Sequence, residues 1–216
     1  MSEPREIPLL RNAAQVRAIL NGATQIRVPC KPQPPSKLHF ACVGGKGFGF
    51  FDHEWNKHKS PFGGPGDLLW VRETWGSAAD GNIFYRASDP GIHTNYTNVN
   101  GSLWPGWKSP VTMPKDASRI WLRVTRVWMQ QVQEIHPFDC INEGIKEPRI
   151  LVRRKSTCPH DKDTHALVPD NPIPAYREYW DATYGEKHPW ASNPWVVGCE
   201  VERAVTPPGK DGGTDG

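Results

Sequence analysis

The sequence predicts a small α+β protein in which short strands form a mixed β-barrel, with short helices and long loops around it. The apolar segments typical of strands are short, and apolar residues recur at helical spacing in only a few stretches. Segments rich in proline and glycine separate these strands and helices. The chain has 216 residues, among them 22 prolines and 20 glycines. That length suits one hydrophobic core and is short for two. We therefore expect a single domain over residues 1–205 and a disordered tail over 206–216.

A strand predicted at 68–75 is central to the proposed sheet. Pro65-Gly66-Asp67 marks a turn directly before it. In its first half apolar residues point to both sides of the pleat, which is typical of a strand buried on both faces. Arg72 and Glu73 follow where the apolar run ends, so the strand brings two charges to the rim of the sheet. The simpler alternative is that both charges are only solvated.

The remaining elements follow from periodicity and from start and stop signals. Alternation is strict over 119–128, which predicts a strand. Asn12 is a suitable N-cap for the first helix, and Pro137 begins and Gly144 ends the second. Residues 1–8 are expected to be flexible. The predicted strands cover 24–28, 68–75, 82–87, 119–128 and 195–202, in one curved sheet or barrel, and the helices cover 12–20, 137–144 and 175–184. The predicted core contains Leu69, Val71, Ile120, Leu122, Val124, Val196 and Val201.

Three long segments are expected to be loop insertions, at about 36–65, 88–118 and 146–172. The first contains Gly44-Gly45-Lys46-Gly47, which is not a phosphate-binding P-loop because the Gly-Lys-Ser/Thr ending is missing. The phenylalanines that follow favour a loop or a ragged hairpin with aromatic anchors. The third insertion is basic, polar and irregular.

Composition limits the classes of function. A formal net charge of +3 permits a nucleic-acid partner without requiring one. The five cysteines are odd in number and contain no Cys-x-x-Cys, which argues against a disulfide framework. Because no signal peptide or membrane span is visible, we expect a cytoplasmic protein without a membrane partner. Ten tryptophans are so many that several should lie at the surface or in a groove.

An ordered set of short motifs resembles the ASCH domain family, and most closely its phage-borne branch. The resemblance covers roughly residues 8–204. It starts with Ile19-Leu20-Asn21-Gly22, Thr24-Gln25-Ile26-Arg27 and Lys31-Pro32-Gln33-Pro34, and it continues through 66–75, 119–128, 135–144, 176–180 and 190–197. Each motif alone is weak, and the order of the set is what makes it specific.

The resemblance implies a PUA-like β-barrel and recognition of RNA or a modified nucleotide, in the host cytoplasm if the protein is phage-encoded. Some small members are amidohydrolases on acylated cytidine nucleosides and use Lys, Thr and Glu. Here Ala23 stands where the Lys would be and Ile26 where the second Thr would be, whereas Glu143 matches the acidic position. The sequence therefore favours a binding module over an enzyme. Glu143 is the one catalytic candidate, and its alternative role is a salt bridge or hydrogen bond to Arg27.

The nucleic-acid-binding candidates are basic or aromatic residues and one threonine: Thr24, Arg27, Lys31, Arg72, Trp75, Trp104, Trp107 and Lys108. The resemblance places Arg27 and Arg72 on neighbouring walls of one groove, where arginine can fork onto a phosphate or stack on a base. The tryptophans could stack on unpaired bases. The alternatives are ion pairs of these arginines with Glu73 or Glu143, and tryptophans that only anchor the core or loops. The basic run at 149–155 would add diffuse charge.

No metal and no cofactor are predicted. Cys158, His160 and His165 are potential zinc ligands, but their spacing matches no standard zinc motif. Three functions are weighed against one another. The first is a module that binds RNA or a modified nucleotide, the second an enzyme on a modified nucleoside, and the third a phage accessory protein that binds a host protein through its tryptophan-rich loops.

Overall fold

The computed structural model describes residues 3–35, 37–43, 47–77, 81–89, 106–146, 149–154 and 164–204. Its strands are β1 (Glu6–Leu10), β2 (Gln25–Pro29), β3 (His39–Val43), β4 (Gly47–Phe51), β5 (Lys57–His58), β6 (Leu68–Arg72), β7 (Trp75–Ser77), β8 (Ile83–Tyr85), β9 (Trp121–Gln131), β10 (Arg149–Arg154), β11 (Thr164–Pro169) and β12 (Trp195–Arg203). Its α-helices are α1 (Ala13–Leu20), α2 (Pro137–Asn142) and α3 (Ile173–Tyr184).

Five strands form the main sheet, in the order β1-β6-β9-β12-β2. β1 runs parallel to β6, and every other neighbouring pair is antiparallel. The eleven-residue β9 lies in the middle and pairs with both β6 and β12. Within the described ranges, hydrogen bonds do not close this sheet into a barrel. The α+β class is therefore confirmed, and the PUA-like barrel stays a prediction.

The core lies where the alternating strands bury one face. On β9, Leu122 and Val124 are 2% and 1% exposed. Their neighbours Arg123 and Thr125, whose side chains point to the other face, are exposed. This is the period of two that a pleated strand imposes. All seven predicted core residues are buried: Leu69, Val71, Ile120, Leu122, Val124, Val196 and Val201. A second cluster joins α2 and α3 to the sheet through Cys140, Tyr176, Trp180 and Val196.

The helix boundaries largely follow the predicted signals. The Asn12 side chain accepts a hydrogen bond from the Gln15 backbone N–H at 2.9 Å, and the Gln15 side chain accepts one from the Asn12 N–H at 3.1 Å. These reciprocal bonds form a capping box at the start of α1. Pro137 is the first residue of α2, and Gly144 follows its end with φ of 93°, a value that favours glycine.

Three sequence-based expectations about strands were wrong. The 82–87 segment is not in the main sheet, because β8 pairs only with β7 in a separate two-stranded sheet. Residues 6–8, expected to belong to a flexible start, instead lie in β1, an edge strand whose partner is β6. The insertion at 146–172 contains the antiparallel hairpin β10–β11. Its apolar triplets, 150–152 and 166–168, supply the strand propensity that the surrounding basic residues obscured.

The insertion at 36–65 forms the antiparallel meander β3-β4-β5, so the hairpin prediction is confirmed. A buried carboxylate, Asp52, organises its second turn. It accepts hydrogen bonds from the backbone N–H groups of Glu54 and Asn56 at 3.0 and 2.8 Å, and the ring of His58 lies 3.1 Å away. Burial raises the pKa of Asp52, but hydrogen bonds from Asn56, His58 and Glu54 outweigh it and lower this pKa from 3.8 to about 2.

Leu122→Ala should lower the free energy of unfolding by roughly 2–5 kcal/mol, because it removes buried methyl groups and leaves a cavity. Urea denaturation followed by tryptophan fluorescence measures the loss. Arg123→Ala, on the exposed face of the same strand, is the matched control and should change the stability by less than about 0.5 kcal/mol. A loss for Leu122→Ala as small as that of the control would contradict the burial of Leu122.

Asp52→Asn should change the pH dependence of stability in one direction. Because the folded-state pKa of Asp52 is depressed, its carboxylate stabilises the protein at pH values above 3.8, and this contribution disappears as the pH falls towards about 2. The stability difference between wild type and Asp52→Asn should therefore be constant near neutral pH and shrink in acid. Urea denaturation at a series of pH values measures it. A difference that grows on acidification would contradict the assignment.

Candidate functional site

Arg27 is the centre of a buried polar network rather than the wall of an open groove. Its side chain is fully buried. One terminal nitrogen is ion-paired with Glu143, and the other contacts the carboxylate of Asp139 at 2.8 Å. The guanidinium also lies 5.0 Å from the centre of the Trp128 ring. Gly198, opposite Arg27 on β12, permits this arrangement, since a β-carbon there would lie 2.3 Å from a Trp128 ring atom.

Glu143 completes this network at the end of α2. Its second oxygen accepts a hydrogen bond from the hydroxyl of Tyr176 at 3.0 Å. Burial raises the pKa of Glu143 above its usual value, and the charge of Arg27 counteracts this rise. Burial also raises the pKa of Tyr176 well above 10, so the phenol keeps the proton that it donates. The contacts of Glu143 are thus those of a buried ion pair, which was the alternative to a catalytic role.

A cavity of about 20 Å³ lies beside Glu143, lined also by Ala23, Arg27 and Arg11. Such a volume holds about one water molecule. An acylated nucleoside is far larger, so the space that the described residues leave beside Glu143 does not accommodate one. The expectation that the chain has little amidohydrolase activity on acylated cytidine is not tested by this geometry and stays a prediction.

Arg11 differs from Arg27 because it forms no ion pair with another described residue, although its charge lowers the pKa of the nearby Glu143. It is 5% exposed, yet its Nε and Nη2 are buried without a hydrogen-bond acceptor among the described residues. Its backbone N–H donates to the carbonyl of Arg72 at 2.9 Å, which fixes the residue at the end of β1. Buried guanidinium groups are normally paired, because an unpaired buried charge is costly. Arg11 therefore has buried donors that no described residue satisfies.

Arg11 also lines a much larger cavity, a cleft of about 680 Å³. Three exposed lysines line the same cleft: Lys31 after β2, Lys59 after β5 and Lys187 after α3. None of them forms an ion pair with another described residue, and Glu186 is the one acidic residue in the lining. Four cations from four separate chain segments thus converge on one cleft, which gives it a positive potential.

The walls of the cleft provide apolar surface between these charges. Leu10, Val28, Pro29 and Pro61 contribute aliphatic groups, and Tyr184 contributes an aromatic ring. Polar groups at its edge come from Ser60, Thr183 and His188. Burial, together with the charges of Lys31 and Lys187, lowers the pKa of His188. The imidazole is therefore largely neutral at pH 7 and adds a polar group rather than a charge.

None of the other predicted binding residues that the structure describes lines this cleft. Arg72 lines neither the cleft nor the small cavity beside Glu143. Its side chain donates hydrogen bonds to the carbonyls of Pro110 and Val111, and its guanidinium lies 5.2 Å from the Trp70 ring centre. Thr24 is exposed, and its backbone bonds to Asn142 and Val201. Arg27 and Arg72 therefore do not share one of these cavities.

The two predicted tryptophans that the structure describes, Trp75 and Trp107, pack against other parts of the chain. Trp75 is 9% exposed and packs with Met113 and Ala117, and the amine of Lys108 lies 4.6 Å from its ring centre. Trp107 has the guanidinium of Arg86 at 5.8 Å. Both rings thus have a cation over one face. Trp104 lies outside the described residues.

Of the predicted site residues, Lys31 is the one that the cleft contains. Sequence reasoning missed Arg11, Lys59 and Lys187. Each lies beside a strand or helix end without a recognisable motif around it, and only the tertiary fold brings them together. The sequence contained one signal for Arg11. It lies between an apolar run and the N-cap of α1, so the flanking elements could bury it, and a buried charge is unusual.

Comparisons of the chain with protein-family models, with curated proteins and with solved structures found no match. The ASCH resemblance therefore rests on the motifs alone. Among the described helices, none has both the length and the apolar character that crossing a membrane requires. The described residues contain no cluster of three potential metal ligands. The side chains of Cys158, His160 and His165, and those of the basic run at 153–155, lie outside the described part of the chain.

Glu143→Ala should lower the free energy of unfolding by roughly 3–5 kcal/mol, because Arg27 then remains as a buried charge without its main partner. Urea denaturation measures the loss. The double variant Arg27→Met/Glu143→Ala should lose less than the sum of the two single variants, since neither charge remains unpaired. Glu178→Ala, an exposed residue on α3, is the control and should have little effect. Additive losses would show that the pair does not interact.

Proposed function

We propose that the protein binds the phosphates of a nucleotide or of single-stranded nucleic acid in the cleft between β1, β2, α3 and the segment after β5. The observation that supports this most directly is Arg11 in the lining of a basic cleft, because two of its buried guanidinium nitrogens have no acceptor among the described residues. A phosphate would supply the acceptor oxygens that the described residues do not. Arginine binds phosphate with two parallel hydrogen bonds, which suits a fixed, buried position.

The cleft has the dimensions of a small-ligand site. Its volume of about 680 Å³ lies in the range of roughly 300–1,000 Å³ that ligand pockets occupy. The apolar walls suit a sugar or a base, and the lysines at the rim suit phosphates in contact with solvent. A nucleotide has this combination of a flat, largely apolar base and an anionic phosphate.

The proposal retains the predicted class of ligand and changes its location. Lys31 remains part of the binding site, whereas Arg27 becomes a structural residue that supports the wall of the cleft through β2. Arg72, Trp75 and Lys108 are proposed to have structural roles, since Arg72 donates to the carbonyls of Pro110 and Val111 and the Lys108 amine lies over the Trp75 ring. A host protein is the rival partner, and it would bind without the salt dependence of phosphate contacts.

Salt titration of affinity tests the proposal. Fluorescence anisotropy on a labelled single-stranded octamer, as RNA and as DNA, should show affinity that falls with salt, with a slope of about 0.7 per neutralised phosphate. Lys31→Ala and Lys187→Ala should each reduce that slope by less than about one unit. Lys146→Ala, an exposed lysine that does not line the cleft, should leave it unchanged.

Arg11→Met adds a readout that distinguishes binding from structure. Because the replaced charge is buried and unpaired, the variant should be as stable as the wild type or more stable, while affinity falls roughly tenfold to a hundredfold. The affinity of Arg72→Ala, measured in the same way, tests the groove that the sequence predicted. If no strand or nucleotide binds at low salt, or if Arg11→Met binds like the wild type, the cleft is not a phosphate site and a protein partner becomes the better hypothesis.

A further inference from the structure

A second cavity, of about 300 Å³, lies next to the cleft and shares Lys31 and Lys59 with it. These two lysines therefore stand at the boundary between the two spaces. Lys57, on β5, lines the second cavity but not the cleft, and Lys187 lines the cleft but not the second cavity. No aspartate or glutamate is among the described residues that line the second cavity.

The lining of the second cavity combines uncharged and cationic groups. The uncharged part includes the buried Cys30, the partly buried Met129 and the exposed Pro32. Burial raises the pKa of the Cys30 thiol to about 12, so this residue is a neutral, weakly polar group at physiological pH. The charges come from three exposed lysines, Lys31, Lys57 and Lys59. Like the cleft, this cavity thus combines apolar surface with lysines.

The position of the cavity relative to the meander is fixed by the Asp52 turn. Asn56 and His58 both line the cavity, and both are bound to the Asp52 carboxylate. His58 is thus oriented by its pairing with Asp52, 3.1 Å away. Lys57 and Lys59 lie on either side of His58, so the turn positions both lysines at the edge of the cavity.

On the basis of the proposed function, we propose that the two cavities form one continuous site for a single strand of at least two nucleotides. One nucleotide lies in the cleft and its neighbour in the second cavity. Lys31 and Lys59 contact the phosphate that joins them. A polynucleotide matches this arrangement because its phosphates occur between successive nucleosides, as the lysines occur between successive cavities.

A length series on the wild-type protein tests the inference. Competition against a labelled octamer, followed by fluorescence anisotropy, gives the affinity of a nucleoside 5′-monophosphate, a 5′-phosphorylated dinucleotide, a tetranucleotide and the octamer itself. RNA and DNA series are measured in parallel to identify the preferred sugar. Affinity should rise about tenfold or more from one nucleotide to two, because the joining phosphate gains charge-assisted hydrogen bonds. Further lengthening should add only the shallow salt-sensitive increase of diffuse charge.

Two matched lysine variants assign the gain to the second cavity. Lys57→Gln should leave the affinity for the mononucleotide unchanged and reduce the gain on going to the dinucleotide. Lys187→Gln should weaken the mononucleotide and the dinucleotide by the same factor. Thermal unfolding followed by circular dichroism checks that both variants are folded, and the wild-type length series remains decisive if either is not.

The outcomes separate this inference from the proposed function. A mononucleotide that binds as tightly as the dinucleotide would overturn the two-cavity site and leave the cleft as a nucleotide site. The two-cavity site would also be overturned if Lys57→Gln reduced the affinity for the mononucleotide as much as the affinity for the dinucleotide. The absence of binding at every length would instead contradict the proposed function itself.

Discussion

The buried ion pair between Arg27 and Glu143 is the interaction on which much of the rest depends. It connects β2, at one edge of the main sheet, to the end of α2, and Tyr176 extends the connection to α3. These three elements are distant in sequence, and two of them, β2 and α3, contribute residues to the basic cleft. A buried pair of this kind contributes little net stability compared with apolar packing, but its geometry permits few alternative arrangements. We infer that it fixes the position of α3 against the sheet.

Much of the fold could be predicted because local rules and tertiary packing agree. Alternation placed Leu122 and Val124 in the core, and Asn12 and Pro137 began helices as their chemistry requires. The predictions failed where the structure of a segment depends on the strand that it pairs with. β1 is an edge strand with little alternation, and its only partner in the sheet lies about sixty residues later in the chain. Periodicity does not contain that information.

The candidate site was less predictable than the fold for a physical reason. A motif can be recognised when the residues of a site are close in sequence, and Arg27 and Glu143 were recognised through motifs. Their charges proved to be satisfied by each other. Arg11, by contrast, forms no ion pair with another described residue, and two of its buried nitrogens lack an acceptor there. Whether a buried arginine has a partner depends on side chains from several segments. Only the three-dimensional arrangement distinguishes a structural cation from one that is available to a ligand.

The origin of the cleft in four separate segments couples recognition to the integrity of the whole domain. Arg11, Lys31, Lys59 and Lys187 span most of the described chain, and no fragment shorter than that span contains them all. A ligand that contacts all four binds only the folded form, so it shifts the folding equilibrium by mass action. Occupancy then protects the domain from global opening, and partial unfolding of any one segment releases the ligand. In a cell, the lifetime of such a protein would depend on the supply of its ligand.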